Sequence, residues 1–166
     1  GVHPDEAMQR TAEMTRDKNR TPMQWSNNPN GGFSPSGVET WLPVNPNCKD
    51  GINVKDQQHN PNSLFNYYKH ILRVRKNSSA LIEGEYLPLQ STAKDYFAFL
   101  RVSSGQTVLV VLNFSEQSLD LDFSRTQEIK GRSLHVVFSS AVRSSTDLIP
   151  KKLHIGAFEV FIAEVK

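Results

Sequence analysis

Six of the nine prolines, Pro22, Pro29, Pro35, Pro43, Pro46 and Pro61, fall between positions 22 and 61. Proline lacks an amide hydrogen and its ring clashes with the carbonyl four residues back, so this spacing excludes a regular helix from the segment. The same segment is too polar for a core strand. Residues 16–33 read RDKNRTPMQWSNNPNGGF and residues 41–47 read WLPVNPN. Loops rich in Asn, Pro and Gly are usually held in one shape by side-chain-to-backbone hydrogen bonds, and such loops often line sites. Gly31-Gly32 provides a hinge or a tight turn before Phe33. An irregular segment of this length is unusual in a free-standing domain. It makes sense as the cover of a larger body, and the chain reads as an interior piece of a longer protein.

The flanking segments are more regular. Residues 1–15 fit a short helix, with Pro4 suited to its first turn and Asp5 and Glu6 where the helix dipole favours acids. Residues 62–76, NSLFNYYKHILRVRK, carry Leu64, Tyr67, Tyr68, Ile71, Leu72 and Val74 mainly at helical spacing. Positive charge gathers in the C-terminal half of that segment, as the dipole prefers. An amphipathic helix must pack against something, and its aromatics Phe65, Tyr67 and Tyr68 read as core.

From about residue 84 the apolar period changes to two. Strands are expected at residues 84–88, 95–102, 107–113, 118–123, 134–139, 152–155 and 157–163. Gly105 and Gly131 mark turns, and Pro150 suits a loop or an edge. Short strands separated by turns argue for an antiparallel β-sandwich of Greek-key type.

Several function classes drop out on composition. Nineteen basic and seventeen acidic residues give a net charge of +2, and the basic residues are scattered, which offers nothing to nucleic acid or to an anionic membrane. The longest apolar run, residues 108–112, is strand-sized, far short of the ~20 residues of a membrane-spanning helix. The single cysteine, Cys48, excludes an internal disulfide and reads as a small loop side chain. His3, His59, His70, His135 and His154 are dispersed without metal-ligand spacing, so neither a metal nor a cofactor is expected. No phosphate loop, HExxH helix or nucleophile elbow is present. Asp17 with Glu39 or Asp56 is a weak candidate for a carboxylate pair.

Arg16, Asp17 and Arg20 form a better-defined group. A guanidinium is a planar donor fork suited to a carboxylate or to adjacent sugar hydroxyls. Two readings stay open: an Arg–Asp network that pins the loop, or a set of donors aimed at a ligand. Trp25, Phe33 and Trp41 divide in the same way between stacking on a sugar face and plugging the loop onto its scaffold. The β segment shows no cluster of exposed aromatics on one strand face, which counts against a carbohydrate-binding module.

The motifs RDKNRTPMQWSNNPNGGFS, WLPVNPN, NVKDQQHNPNSLFNYYKHILRVRK and GEY resemble the α-glucosidase branch of the α-amylase superfamily, the oligo-1,6-glucosidase and maltase-like group. The likeness runs over residues 16–87, while the β segment resembles the family's C-terminal domain more in placement than in residues. The resemblance implies a (β/α)8 barrel whose last strand-to-helix loop and eighth helix lie within residues 1–80, followed by the β-sandwich at residues 81–166. The fold class is thus α+β, mainly β. It implies a retaining glycosidase with an aspartate nucleophile and a glutamate acid/base, both upstream of this chain, which holds no catalytic acid and is expected to be inactive alone.

Arg16 matches the family arginine that hydrogen-bonds the terminal glucose, and Asp17 and Arg20 match the network that holds it. Trp25 and Phe33 are similar to scaffold or pocket-rim residues. The implied partners are an α-glucoside oligosaccharide and the remainder of the barrel. Cys48 stands where the family commonly has tyrosine, which thins the packing of this loop. Superfamily members that have lost catalysis and serve as heavy subunits of amino-acid transporters keep the P-M-Q-W and G-F-S blocks but tend to lose the arginine–aspartate pattern. The intact Arg16, Asp17 and Arg20 favour the enzyme. Asn19, Asn77 and Asn113 head N-glycosylation acceptor patterns, which arise readily by chance.

Overall fold

A computed structural model of the chain describes residues 2–14, 20–89, 93–143 and 145–166. The chain divides into two compact units, residues 1–69 and 70–166. The expected N-terminal helix is α1, Pro4–Met14, with Asp5 and Glu6 in its first turn. Arg10 pairs with Glu6 at 2.6 Å one turn away, an exposed contact worth a few tenths of a kcal/mol, ~0.3–0.5.

The proline-rich segment is irregular, with one correction. It contains a six-residue helix, α2, Val54–His59. No proline falls between Pro46 and Pro61, and Asn53 caps the helix by accepting the amide hydrogen of Asp56 at 2.9 Å. Two tighter 3-10 turns begin at prolines, Pro29–Gly32 and Pro46–Asp50. A first-turn proline loses nothing there, because its missing amide hydrogen has no partner in any case.

Helix α3, Leu64–Lys76, follows Ser63, whose buried hydroxyl donates to the Gln57 carbonyl at 2.7 Å. Only Val74 of this helix is buried. Tyr68 is 61% exposed and Leu64 and Leu72 are similarly open, while Phe65 and Tyr67 are half-buried. The aromatics expected as core are therefore half-buried or exposed among the described residues. A short helix, α4, Ser79–Glu83, went unexpected because its cap, Ser78, reads as part of the stop of α3. The Ser78 hydroxyl accepts the Leu81 amide hydrogen at 3.2 Å.

The β unit contains β1 Glu85–Leu89, β2 Tyr96–Val102, β3 Thr107–Asn113, β4 Leu119–Leu121, β5 Leu134–Ser139, β6 Asp147–Leu148, β7 Leu153–Ile155 and β8 Val160–Val165. Six strands form one sheet in the order β1-β2-β3-β8-β5-β6, and β4 pairs with β7 in a second. Every ladder is antiparallel. The β3·β8 and β4·β7 ladders are two stretches of one folded double strand, β3–β4 running out and β7–β8 returning, which is Greek-key connectivity.

Side chains of both sheets share one core: Leu100, Leu109, Val111, Phe161 and Ala163 from the large sheet meet Leu121, Leu153 and Ile155 from the small one. Strand β3 is buried on both faces from Thr107 to Val111, as expected of a central strand lying between β2 and β8.

The last strand begins three residues later than its alternation suggests. Residues 156–159 instead form a turn in which Phe158 takes a left-handed φ of 52° and the Glu159 carboxylate accepts the Gly156 amide hydrogen at 2.7 Å. The mostly apolar run AFEVFIAEV passes through that turn and conceals it. The two-residue β6 was likewise missed, being too short to carry a period.

Candidate active-site loop

The loop is built from side-chain amides. Gln24 is its central fastener: its carbonyl accepts the Val54 amide hydrogen at 3.0 Å. Its side-chain amide donates to Asn47 Oδ1 at 2.7 Å and to the Ile52 carbonyl at 2.6 Å. The Trp25 carbonyl accepts from Lys55 at 3.0 Å, and the amides of Trp25 and Ser26 both donate to the Gly31 carbonyl at 2.8 and 2.9 Å. Stretches far apart in sequence are thereby tied together by hydrogen bonds.

Between them lies the turn at Pro29–Gly32. Asn30, Gly31 and Gly32 are consecutive left-handed residues, with φ of 54°, 64° and 71°. A Cβ on Gly32 would sit 2.7 Å from the Ser26 hydroxyl, so both the backbone angle and the space require glycine. The Asn30 side-chain amide then holds the following segment by donating toward Ser34 Oγ, the Pro35 carbonyl and the Val38 carbonyl at 3.0, 3.0 and 2.8 Å. Asn53, 3% exposed, closes the far end: its amide donates to the Cys48 carbonyl at 2.8 Å and to Asp56 Oδ2 at 2.7 Å. Cys48 itself is buried and free.

Arg16 and Asp17 lie outside the described residues, so the pairing of Asp17 with Glu39 or Asp56 lies outside them too. Arg20 is exposed. Trp25, Phe33 and Trp41 are 52%, 49% and 66% exposed, so none plugs the loop into a core of this unit. Asp56 is occupied by its helix cap, which leaves it a structural carboxylate. Among the described residues no group of three or more His, Cys, Asp or Glu side chains converges in a way that fits a metal ion.

The anchors Gln24, Asn30 and Asn53 were not singled out in the sequence. Asn53 carries a readable signal, an asparagine three residues ahead of the helical Asp56. Gln24 does not, because its partners are remote.

In the β unit one expectation is overturned. Tyr86, Phe97 and Phe99 do form a cluster on the outer face of β1 and β2, with centroids 5.2–6.5 Å apart and Tyr86 and Phe97 more than two-fifths exposed. The β1·β2 register sets Pro88 opposite Phe99 and so brings Tyr86 alongside. The ring planes are inclined by 29–46°, so they do not make one flat platform for a sugar. The dispersed histidines of this unit have individual partners: His135 meets Asp147 and His154 meets Asp120, each at 2.9 Å, and His70 lies edge-on to Phe138.

Two family models match the chain, and they meet at a later point than its two compact units do. The family described as "Alpha amylase, catalytic domain" matches residues 1–84, and "Maltogenic Amylase, C-terminal domain" matches residues 88–162. An oligo-1,6-glucosidase of Parageobacillus thermoglucosidasius is 37% identical over 118 residues, covering 71% of this chain and 20% of that protein. An oligo-1,6-glucosidase of Saccharomyces cerevisiae is 32% identical over 158 residues, covering 92% and 26%. Among solved structures, an isomaltulose synthase mutant from Erwinia rhapontici, in complex with its natural substrate sucrose, superposes with a TM-score of 0.80 at 30% identity, over 99% of this chain and 28% of that one. The chain thus spans about a fifth to a quarter of the length of the curated relatives it matches. With the catalytic-domain match extending over residues 1–84, the chain belongs to the α-amylase family.

Proposed function

We propose that this chain is the C-terminal segment of a retaining, exo-acting α-glucosidase that removes terminal α-linked glucose from short oligosaccharides. Residues 1–80 are the end of its catalytic barrel, comprising the loop after the eighth strand and the eighth helix, and residues 81–166 are its β-sandwich. The reading rests above all on RDKNRTPMQW running into a loop held rigid at Gln24, Asn30 and Asn53. A loop fixed that way positions a side chain for a ligand at little entropic cost.

Arg16 is the substrate-binding residue, donating to hydroxyls of the terminal glucose. Asp17 and Arg20 brace it, and Trp25 and Phe33, half-exposed at the loop surface, stand at the rim of the pocket. The open apolar side of α3, with Leu64, Tyr68 and Leu72 exposed, supports a further body of protein covering it, the remainder of the barrel. The catalytic acids belong to that remainder, and the chain by itself is inactive. The 1,6-glucosidase names of its relatives favour an α-1,6 linkage.

The test is hydrolysis by the full-length protein of isomaltose beside maltose, with release of glucose followed. Preferential cleavage of isomaltose supports the reading. A folded protein inert toward both substrates overturns it and favours a non-catalytic member of the family.

A further inference from the structure

Asn30 and Gly31 form the one Asn-Gly pair in the sequence. In a flexible chain such a pair undergoes deamidation readily, because glycine has no side chain to hinder its own amide nitrogen. The Gly31 nitrogen loses its proton to base and attacks Asn30 Cγ. A C–N bond forms, the Cγ–Nδ2 bond breaks and ammonia leaves. Water then opens the five-membered imide to aspartate or isoaspartate.

The folded loop opposes each part of this reaction. With Asn30 at ψ 26°, the Gly31 nitrogen lies nearly anti to the Asn30 Cβ about the Cα–C bond, whereas the imide ring needs the two nearly eclipsed. The attacking amide is occupied, donating to the Asn28 carbonyl at 2.9 Å. The leaving group is held as well, by its bonds to Ser34, Pro35 and Val38. The product no longer fits. A carboxylate at position 30 would face the Pro35 and Val38 carbonyl oxygens where a donor had stood, so the bonds that hold the turn are lost and acceptor meets acceptor.

We propose that Asn30–Gly31 is a latent deamidation site, protected while the loop is closed and converted when it opens, and that conversion prevents the turn over residues 30–38 from closing again. The site is then a one-way record of loop opening. Asn28, Asn45 and Asn60 each precede proline, which has no amide hydrogen to lose, so they serve as internal controls.

The experiment incubates the full-length protein at mildly alkaline pH with and without urea and follows each asparagine by peptide mass mapping. The expected result is conversion at Asn30 at least tenfold faster in urea, with the three Asn-Pro sites unchanged in both. Equal rates in the two conditions, or no conversion in urea, overturn the proposal. A second measurement compares amide hydrogen exchange of Asn30→Asp with that of the wild type. At least tenfold loss of protection at Gly31, Phe33 and Val38 is expected, and wild-type protection there overturns the claim that conversion blocks closure.

Discussion

The carboxylate of Glu159 and the guanidinium of Arg143 meet at 2.6 Å in the β unit, and the glutamate side chain is only 2% exposed. The guanidinium also lies 4.5 Å from the Phe161 ring centroid and donates to the His154 carbonyl. Glu159 in turn accepts from Ser139 Oγ and the Gly156 amide. One buried carboxylate thus holds the start of β8, the end of β5 and the segment carrying Arg143.

Breaking one side of such a pair leaves the other charge uncompensated. Glu159→Ala is expected to cost about 3–5 kcal/mol of unfolding free energy, read from urea denaturation. Glu159→Gln keeps acceptor capacity and is expected to cost less. An alanine variant as stable as the wild type would contradict the clamp.

Asn53 does for the loop what Glu159 does for the sandwich. Its substitution by alanine removes the α2 cap and orphans the Cys48 carbonyl. A loss of about 1–3 kcal/mol is expected, from the cap together with a buried unsatisfied group. Hydrogen exchange should localise the change to residues 45–60, and an unchanged profile there would count against it.

Glu164 lies on β8 with Lys166 at 2.6 Å. The hydrogen bond from Lys166 holds its carboxyl below the ordinary glutamate value of 4.5, with further help from the Lys166 charge, Gln106 and His135, against the opposing effect of burial. A depressed folded value means that the unfolded chain binds the proton more readily. The contribution of Glu164 is therefore fully present above 4.5 and is lost as pH falls through the depressed folded value. Glu164→Gln should flatten the stability–pH curve on the acid side of 4.5 and leave its shape above neutrality unchanged. An unaltered acid limb would contradict this.

The strands were legible wherever the alternation ended at a real turn, as at Gly105, where the Ser103 amide donates to the Gln106 carbonyl. They were misread where a turn hid inside a mostly apolar run, as at Phe158, whose left-handed backbone no residue type announces. Helix α3 was legible from its spacing, but the burial of its face was not, because period says which side is apolar and nothing about what lies against it. In the loop, proline and glycine showed where regular structure stops. The bonds of Gln24 to Asn47 and Ile52 depend on contacts twenty-three and twenty-eight residues away, which no local pattern encodes. The aromatic cluster of Tyr86 with Phe97 and Phe99 escaped for the related reason that it needs the register of two strands.

The role given to Arg16 is tested most directly by hydrolysis of an aryl α-glucoside by the full-length protein beside its Arg16→Ala variant. A charge-assisted hydrogen bond to substrate is worth about 1.5–3 kcal/mol, so kcat/KM should fall by roughly 10–100-fold while the fold is retained. An active wild type with an equally active Arg16→Ala variant would reduce Arg16 to a brace for its loop. A well-folded wild-type protein with no hydrolytic activity would contradict the α-glucosidase reading itself.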